Sequence, residues 1–236
     1  MSALCGASAM AQISYQNGDM LAAFGKTGTS VDVIVDLGSI SAFQQTGGAT
    51  VNFSGVSSAL NTFFGGTTGV YWAAFGVNDQ SFAYNHAVVQ GDPKTVWATY
   101  NQYSIPGPAV SGNSASQANA VSDIQVIALL AINSGTAVSS GIVTTPNDAQ
   151  NNGFTPQMTT STTSFNGDWS YNVDTTGPNS LYLYQSDPNQ TAQQFLGTFA
   201  LASNGAFSFT PVPEPSTMAL MGMGLASLFA FRRNKK

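Results

Sequence analysis

Charge, cysteine and histidine are all scarce in this sequence. Charged residues make up 7% of its 236 residues, whereas they make up about 25% of a typical soluble domain. The single cysteine, Cys5, and the single histidine, His86, cannot form a Cys/His zinc site or a disulfide framework. Glu214 is the only glutamate, so a pair of catalytic carboxylates in the body of the chain would have to be two aspartates.

Positive charge is almost absent from the body and is concentrated at the C-terminus. Residues 1–211 contain two basic residues, Lys26 and Lys94, against ten aspartates, which gives this region a net charge of −8. The other four basic residues are Arg232, Arg233, Lys235 and Lys236. Proteins that bind nucleic acid neutralise its phosphates with Lys and Arg, so the composition excludes nucleic acid as a partner of the body.

The residues that are abundant favour a mainly β fold. The hydrophobic fraction is 43%, with 15 Phe and 8 Tyr, which is enough to fill a core. The polar remainder is Gly, Ser, Thr, Asn and Gln rather than the Lys and Glu that coat helix surfaces. We therefore predict a single antiparallel β-sandwich-like domain over residues 12–211, with one or two short helices packed on it. This composition is typical of exported bacterial surface proteins.

Hydrophobic patterning places the individual elements. Strands are predicted at residues 31–38, 51–53, 70–77, 95–100, 141–145, 159–165, 169–173, 180–185, 196–202 and 206–210, and helices at 57–64 and 115–132. Ser57 or Ser58 is the expected cap of the first helix. Asn17-Gly18-Asp19 indicates either a turn or a bulge before a strand, and Ser203-Asn204-Gly205 predicts a hairpin. Residues 133–153 are otherwise predicted to be loop.

The N-terminal residues suggest a signal peptide that has lost its beginning. Ala9 and Ala11, followed by Gln12, form an A-x-A site of the kind that signal peptidase cuts. The basic and apolar parts of a complete signal are missing upstream, which a misplaced start codon would explain. Residues 1–11 are therefore interpreted as a remnant signal peptide, and the alternative is a small-residue tail without a role.

The C-terminus contains three distinct parts in a fixed order. Pro213-Glu214-Pro215 comes first, an uncharged apolar run over 218–231 follows, and the four basic residues complete the chain. As a helix the run spans about 21 Å, less than the ~30 Å of a hydrocarbon core, so a core helix fits its length equally well. The prolines and the basic flank favour a single transmembrane helix instead. Its anchor residues would be Met218, Leu220, Met221, Leu225, Leu228, Phe229 and Phe231.

This tail, over residues 212–236, resembles the PEP-CTERM sorting signal, which is also labelled an ice-binding protein C-terminal domain. The resemblance implies that Pro213, Glu214 and Pro215 are recognised by an exosortase, a membrane-embedded, cysteine-protease-like transpeptidase, and that this protein is its substrate. An ordinary single-pass anchor is the alternative. The order of Gly18-Asp19-Met20-Leu21, 71–76 and 196–199 ahead of the tail also resembles uncharacterised exported proteins of verrucomicrobial-type bacteria, which carries no functional residue over.

Candidate chemical sites in the body are few. His86 is expected to be an ordinary loop or strand-edge histidine, since no nucleophile motif accompanies it. Asp32 and Asp36 should lie on one face of a strand about 13 Å apart, too far for a retaining glycosidase pair, and are expected to face solvent. Asp148, Gln150 and Asn152 resemble the first half of a calcium loop, but Thr159 occupies the position of its bidentate Glu.

The leading hypothesis is a non-enzymatic surface or extracellular-matrix protein without a cofactor. It would be exported, held in the membrane by its C-terminal helix, processed by an exosortase and associated with exopolysaccharide or a biofilm. A carbohydrate-binding module is the first alternative and an exported hydrolase the second. Ice binding, suggested by the threonines of residues 159–163, is disfavoured because an ice-binding face needs a repeat architecture and the sequence has no repeat.

Overall fold

The computed structural model describes residues 13, 15–45, 47–79, 94–100, 115–147, 153–155, 175–186 and 193–213. These residues form eleven strands of one antiparallel sheet, two α-helices and a short 3-10 helix. The strands are β1 (Asp19–Lys26), β2 (Val31–Ser39), β3 (Val51–Phe53), β4 (Val70–Asp79), β5 (Lys94–Tyr100), β6 (Thr136–Ser139), β7 (Ile142–Pro146), β8 (Thr175–Thr176), β9 (Asn179–Ser186), β10 (Gln194–Leu201) and β11 (Phe207–Pro211). The helices are α1 (Val56–Phe64), α2 (Ala115–Ser134) and the 3-10 helix Ile40–Ala42.

The sheet curls on itself so that distant strands face each other. Its order is β3-β11-β10-β9-β5-β4-β1-β2-β7-β6, with β8 paired to β4. Four strands separate β1 from β11, so in a flat sheet these two would lie about 24 Å apart at the usual strand spacing. Instead the rings of Phe24 on β1 and Phe207 on β11 pack edge to face, with centroids 5.2 Å apart. The sheet therefore has a concave face that encloses a core.

Each face of the curled sheet has its own hydrophobic core. The concave core contains Phe24, Trp72, Phe199, Phe207 and Phe209, together with buried residues of α1. The convex core is smaller and is covered by α2, which contributes the following buried residues to it: Ile124, Ile127, Ala128 and Ala131. Alternate residues of a strand point to opposite faces, so the continuously apolar β1 and β4 supply both cores.

The predicted fold class is confirmed in its main features and corrected in one. The domain is mainly β and antiparallel, with two α-helices where one or two were predicted. One continuous curled sheet, rather than two stacked sheets, encloses the core. The physical reason is that each pair of neighbours in the described sheet is joined by backbone hydrogen bonds, so the inner faces meet through curvature rather than by stacking.

The helices lie where the patterning placed them, but the cap of α1 was predicted wrongly. Gly55, with a φ of 84°, is the N-cap and gives no side-chain hydrogen bond. The Ser57 hydroxyl instead donates to the carbonyl oxygen of Asn204, 2.6 Å away in the β10–β11 hairpin. Ser57 thus joins the helix to the sheet, a tertiary contact that a local capping pattern does not contain.

Three strands, β1, β6 and β8, have no counterpart among the predicted strands. Residues 17–18 form a turn and β1 begins directly after it at Asp19, so the turn interpretation is correct, and the register shifts only between Met20 and Leu21. β6 falls in a region predicted to be loop. It is a polar edge strand with little burial, and it therefore lacks the alternation that identifies a strand in a sequence. The strands predicted at 159–165 and 169–173 lie outside the described residues.

Within the described part of the chain, no helix is long and apolar enough to cross a membrane. The predicted transmembrane run, residues 218–231, lies outside that part.

Candidate functional site

The structure shows where the C-terminal tail leaves the folded domain. β11 ends at Pro211, and Val212 extends it by one residue. The Val212 N–H donates to the Leu196 carbonyl at 3.1 Å, and its own carbonyl accepts from the Gly47 N–H at 3.0 Å. Pro213 is exposed and has no N–H to donate. Val212 is therefore the last described residue that backbone hydrogen bonds hold on both sides.

The first of these bonds continues the regular pairing of β10 with β11, in which Leu196 is the next residue opposite Val212. The bulge between Phe195 and Gly197 lies on the other side of β10, in its pairing with β9. Gly197 pairs with Pro211, and a Cβ at this glycine would lie 2.5 Å from both the Phe209 ring and the Thr210 carbonyl. Only glycine leaves room for the last residues of β11 to lie against β10.

The other side of β11 is covered by a short segment that we call the strap, residues 47–53. Its β3 portion pairs Val51 with Phe209. The hydroxyls of Thr50 and Thr210 are 3.1 Å apart, and the Gly47 N–H reaches Val212. The strap is the edge of the sheet, and Val51 is 40% exposed. The strand that leads into the tail is thus held between β10 and a thin, exposed segment.

The end of the sheet from which the tail leaves, the tail-exit end, is rich in neutral amides. The Gln185 carbonyl oxygen accepts from the Gln44 amide at 2.9 Å and from the Trp97 indole N–H at 3.0 Å. The Asn17 amide donates to Asn78 at 3.0 Å on the same end. These contacts satisfy polar groups of this end of the sheet without charge.

Asp32 was expected to face solvent, and the structure shows that this is wrong. The residue is completely buried on the convex side. Its carboxylate accepts from the Thr155 N–H at 3.1 Å and from the Thr155 hydroxyl at 2.5 Å. Desolvation by burial raises the pKa of Asp32 to about 6, although these hydrogen bonds oppose the shift. The carboxylate anchors residues 154–155, which begin a helical turn, to the sheet.

A glycine makes room for this anchor. A Cβ at Gly25 would overlap the Thr155 hydroxyl oxygen and lie 2.7 Å from the Asp32 carboxylate. An Asp within an apolar strand was a signal for this site in the sequence. No signal identified Thr155, which lies far away in the chain, as its partner. Asp36 is only half-buried, and its carboxylate accepts from the Gly38 N–H at 2.8 Å. Burial also raises the pKa of Asp36, and the two acids do not form a joint site.

The aromatic side chains of the described residues fill the cores instead of lining a surface groove. Those that are fully or almost fully buried include Trp72, Trp97, Phe24, Phe43, Phe75, Phe154, Phe199, Phe207 and Phe209. In the described part, the large hydrophobic residues that are exposed are two valines, Val51 and Val138. The partly buried aromatic residues of the described part pack against these cores: Phe53, Phe63, Tyr71, Tyr182 and Phe195.

Several predicted site residues lie outside the described residues. They are Ala9 and Ala11, His86, the calcium candidates Asp148, Gln150 and Asn152, the threonines of 159–163, and the tail from Glu214 to Lys236. Of the predicted sorting motif, Pro213 is described. The described residues contain no group of three His, Cys, Asp or Glu side chains that could hold a metal ion.

Comparison with protein families identifies the tail. Residues 211–234 match the PEP-CTERM protein-sorting motif. The chain carries a PEP-CTERM sorting signal. The match begins at Pro211, the last residue of β11, so the motif continues directly from the folded domain. No curated protein and no solved structure matches the chain.

The match confirms the main inference from the sequence. This is an exported protein that is sorted through its C-terminus, and a PEP-CTERM motif implies membrane anchoring there before an exosortase processes the chain. The predicted tail began one residue later and ended two residues later than the matched residues. No sequence pattern indicated the two hydrogen bonds that hold Val212, because strand pairing brings Gly47 and Leu196 to it from distant parts of the chain.

Proposed function

We propose that this chain is a non-enzymatic surface or extracellular-matrix protein that an exosortase delivers to an exopolysaccharide-rich cell surface. The observation that carries the proposal is the PEP-CTERM motif over residues 211–234, which runs on from the last strand of the domain without an intervening linker. The body is the delivered part. The tail is the sorting signal, since it contains a Pro-Glu-Pro segment, an apolar run and a basic cluster.

The chemistry of the apolar run and its basic flank supports anchoring in the membrane before processing. Residues 218–231 contain no charge, and a run of this length can be extended by Arg and Lys side chains that reach the lipid headgroups. Basic residues directly after an apolar helix remain on the cytoplasmic side. This orientation leaves Pro-Glu-Pro and the domain outside.

The scarcity of reactive groups supports a body without catalytic activity. Its one histidine, and its lack of any glutamate before Glu214, leave few combinations for acid–base or nucleophilic catalysis. The most perturbed carboxylate described, Asp32, is enclosed and engaged by Thr155. It has no room for a substrate beside it, and its role is therefore to hold the fold.

Fractionation of cells with and without an exosortase tests the proposal. With the enzyme, the chain should reach the outer surface or the exopolysaccharide fraction, and without it the chain should stay with the inner membrane. Replacing both Pro213 and Pro215 with Ala should mimic the loss of the enzyme. Pro146→Ala, at the end of β7, is the matched control and should be delivered normally. Equal delivery of all forms would refute sorting by the tail.

Association with exopolysaccharide requires a separate measurement. The processed protein should cosediment with polysaccharide isolated from the same cells, and digestion of the polysaccharide should release it. Recovery in the soluble fraction with and without digestion would remove the matrix part of the proposal and leave the sorting part intact. Shortening of the polysaccharide by the protein would show instead that the body is a hydrolase.

A further inference from the structure

The Pro-Glu-Pro segment of the sorting motif begins at the point where the fold stops holding the chain. Val212 is hydrogen-bonded on both sides, to Leu196 and to Gly47, and Glu214 is two residues further along. Two residues of extended chain span about 7 Å. Only this short length of chain separates the glutamate at the centre of Pro-Glu-Pro from the last residue that the sheet holds.

This spacing conflicts with the way peptides are usually bound for processing. An extended peptide is held in a cleft by backbone hydrogen bonds over several residues, at about 3.3 Å per residue. The residues that precede Pro-Glu-Pro already use their backbone groups in the sheet, since Phe209 pairs with Val51 and Val212 bonds to Leu196 and Gly47. The same N–H and C=O groups cannot pair with the sheet and with an enzyme at once.

We propose that the end of β11 must leave the sheet before the exosortase can process the tail, and that the strap, residues 47–53, sets how often this happens. The inference rests on the proposed function, because it concerns access to the same sorting motif. It assigns the strap a regulatory role: it holds the tail against the domain and limits the rate of processing.

The contacts that hold the end of β11 on the strap side are few, although Pro211 itself is buried, and this makes local release feasible. Beyond Phe209 the described contacts on the strap side are the Thr50–Thr210 hydroxyl pair and the Gly47–Val212 bond. Edge segments with few buried contacts open far more often than the whole fold. Phe209 is completely buried and packs on Phe199 with centroids 4.8 Å apart. Opening should therefore stop at Phe209 and free residues 210–213.

A reversible cross-link between the strap and β11 tests the proposal directly. Thr50 and Thr210 are both exposed and their hydroxyl oxygens are 3.1 Å apart, a spacing from which a disulfide can form. Thr50→Cys with Thr210→Cys, in a full chain that also carries Cys5→Ser, should be processed at least tenfold more slowly when oxidised. Reduction should restore the rate. The single variant Thr50→Cys is the matched control and should show no dependence on redox state.

A second variant keeps the test decisive if the disulfide does not form. A Gly-Ser-Gly-Ser insertion between Val212 and Pro213 gives the enzyme free residues before the motif while β11 stays in place. Processing of this variant should be at least threefold faster than that of the unmodified chain. Equal rates for the oxidised and reduced cross-link, or an insertion without effect, would overturn the proposal. Absence of processing in the unmodified chain would refute the proposed function instead.

Discussion

Two regions of this molecule hold a distant segment against the sheet, and they do so by opposite means. On the convex face, the buried carboxylate of Asp32 holds Thr155 through two hydrogen bonds. At the tail-exit end, neutral and exposed groups of the strap hold β11 and Val212. A buried carboxylate is expensive to separate from its donors, whereas exposed hydrogen bonds are exchanged readily for water. The contact between Asp32 and Thr155 should therefore persist in the folded protein, whereas the contacts of the strap with β11 and Val212 can be released.

The largest effect is expected where β11 enters the concave core. Phe209→Ala removes a ring that is completely buried among Phe43 and Phe199, and it should lower the free energy of unfolding by about 3–5 kcal/mol. Chemical denaturation of the full chain measures this. Phe53→Ala, which removes a half-buried ring at the end of the strap, is the control and should lose clearly less. Similar losses would show that the strap is as firmly held as β11, which contradicts the comparison.

The tight packing around the contact between Asp32 and Thr155 should not tolerate a methyl group added at Gly25. Gly25→Ala places a methyl group on the Thr155 hydroxyl, and overpacking together with the lost hydrogen bond should destabilise the fold by about 3 kcal/mol. Gly48→Ala is a matched control at the tail-exit end, because its Cβ would meet Pro211 at an ordinary contact distance of 3.4 Å. Thermal unfolding should separate the two variants clearly. An unaffected Gly25→Ala would mean that Thr155 is free to move.

The anchor should also make stability depend on pH. The pKa of Asp32 is raised to about 6 in the folded state from an ordinary value of 3.8, so folding favours its protonated form. The corresponding stabilisation is present below pH 4 and is lost as the pH rises through 6. Between pH 4 and pH 7 this amounts to about 2 kcal/mol.

Asp32→Asn should remove this part of the pH dependence, and unfolding curves across that range measure it. Asp36→Asn is the control. The pKa of Asp36 is also raised by burial, but this half-buried acid should account for less of the dependence. If Asp32→Asn left the pH profile unchanged, Asp32 would not be the group that titrates.

The smallest effect on stability is expected in the strap. Thr50→Val removes the hydroxyl contact with Thr210 and should change the free energy of unfolding by less than about 1 kcal/mol. Hydrogen exchange at the Val212 amide should nevertheless become faster, because the end of β11 opens more often. Thr62→Val loses its own hydrogen bond to the Ser58 carbonyl in α1 and should leave exchange at Val212 unchanged. If exchange at the Val212 amide were as slow in Thr50→Val as in Thr62→Val, the strap would not control the opening of the end of β11.

The sequence predicted those features that depend on local patterns. Strands such as β4 and β10 and the helix α2 were placed correctly because their apolar runs and helical spacing are strong. The edge strand β6 was missed because its residues are largely exposed, so its sequence lacks the alternation of apolar and polar residues that identifies a strand. The tail was identified because its signal is contiguous.

Long-range features could not be predicted in the same way. The burial of Asp32 depends on Thr155, 123 residues away, and on the absence of a side chain at Gly25. The hydrogen bonds on both sides of Val212 depend on Leu196 of β10 and on Gly47. Pairing between segments that are distant in the sequence brings these residues together, and no local pattern records it.

The most direct test of the account is the intact mass of the protein taken from the surface of exosortase-containing cells. We predict that in these cells the chain ends before residue 218, so that the apolar run of residues 218–231 and the basic cluster are both missing. Cells without the enzyme should contain a chain that extends to Lys236. A surface protein that retained Lys236 in the presence of the enzyme would contradict the account.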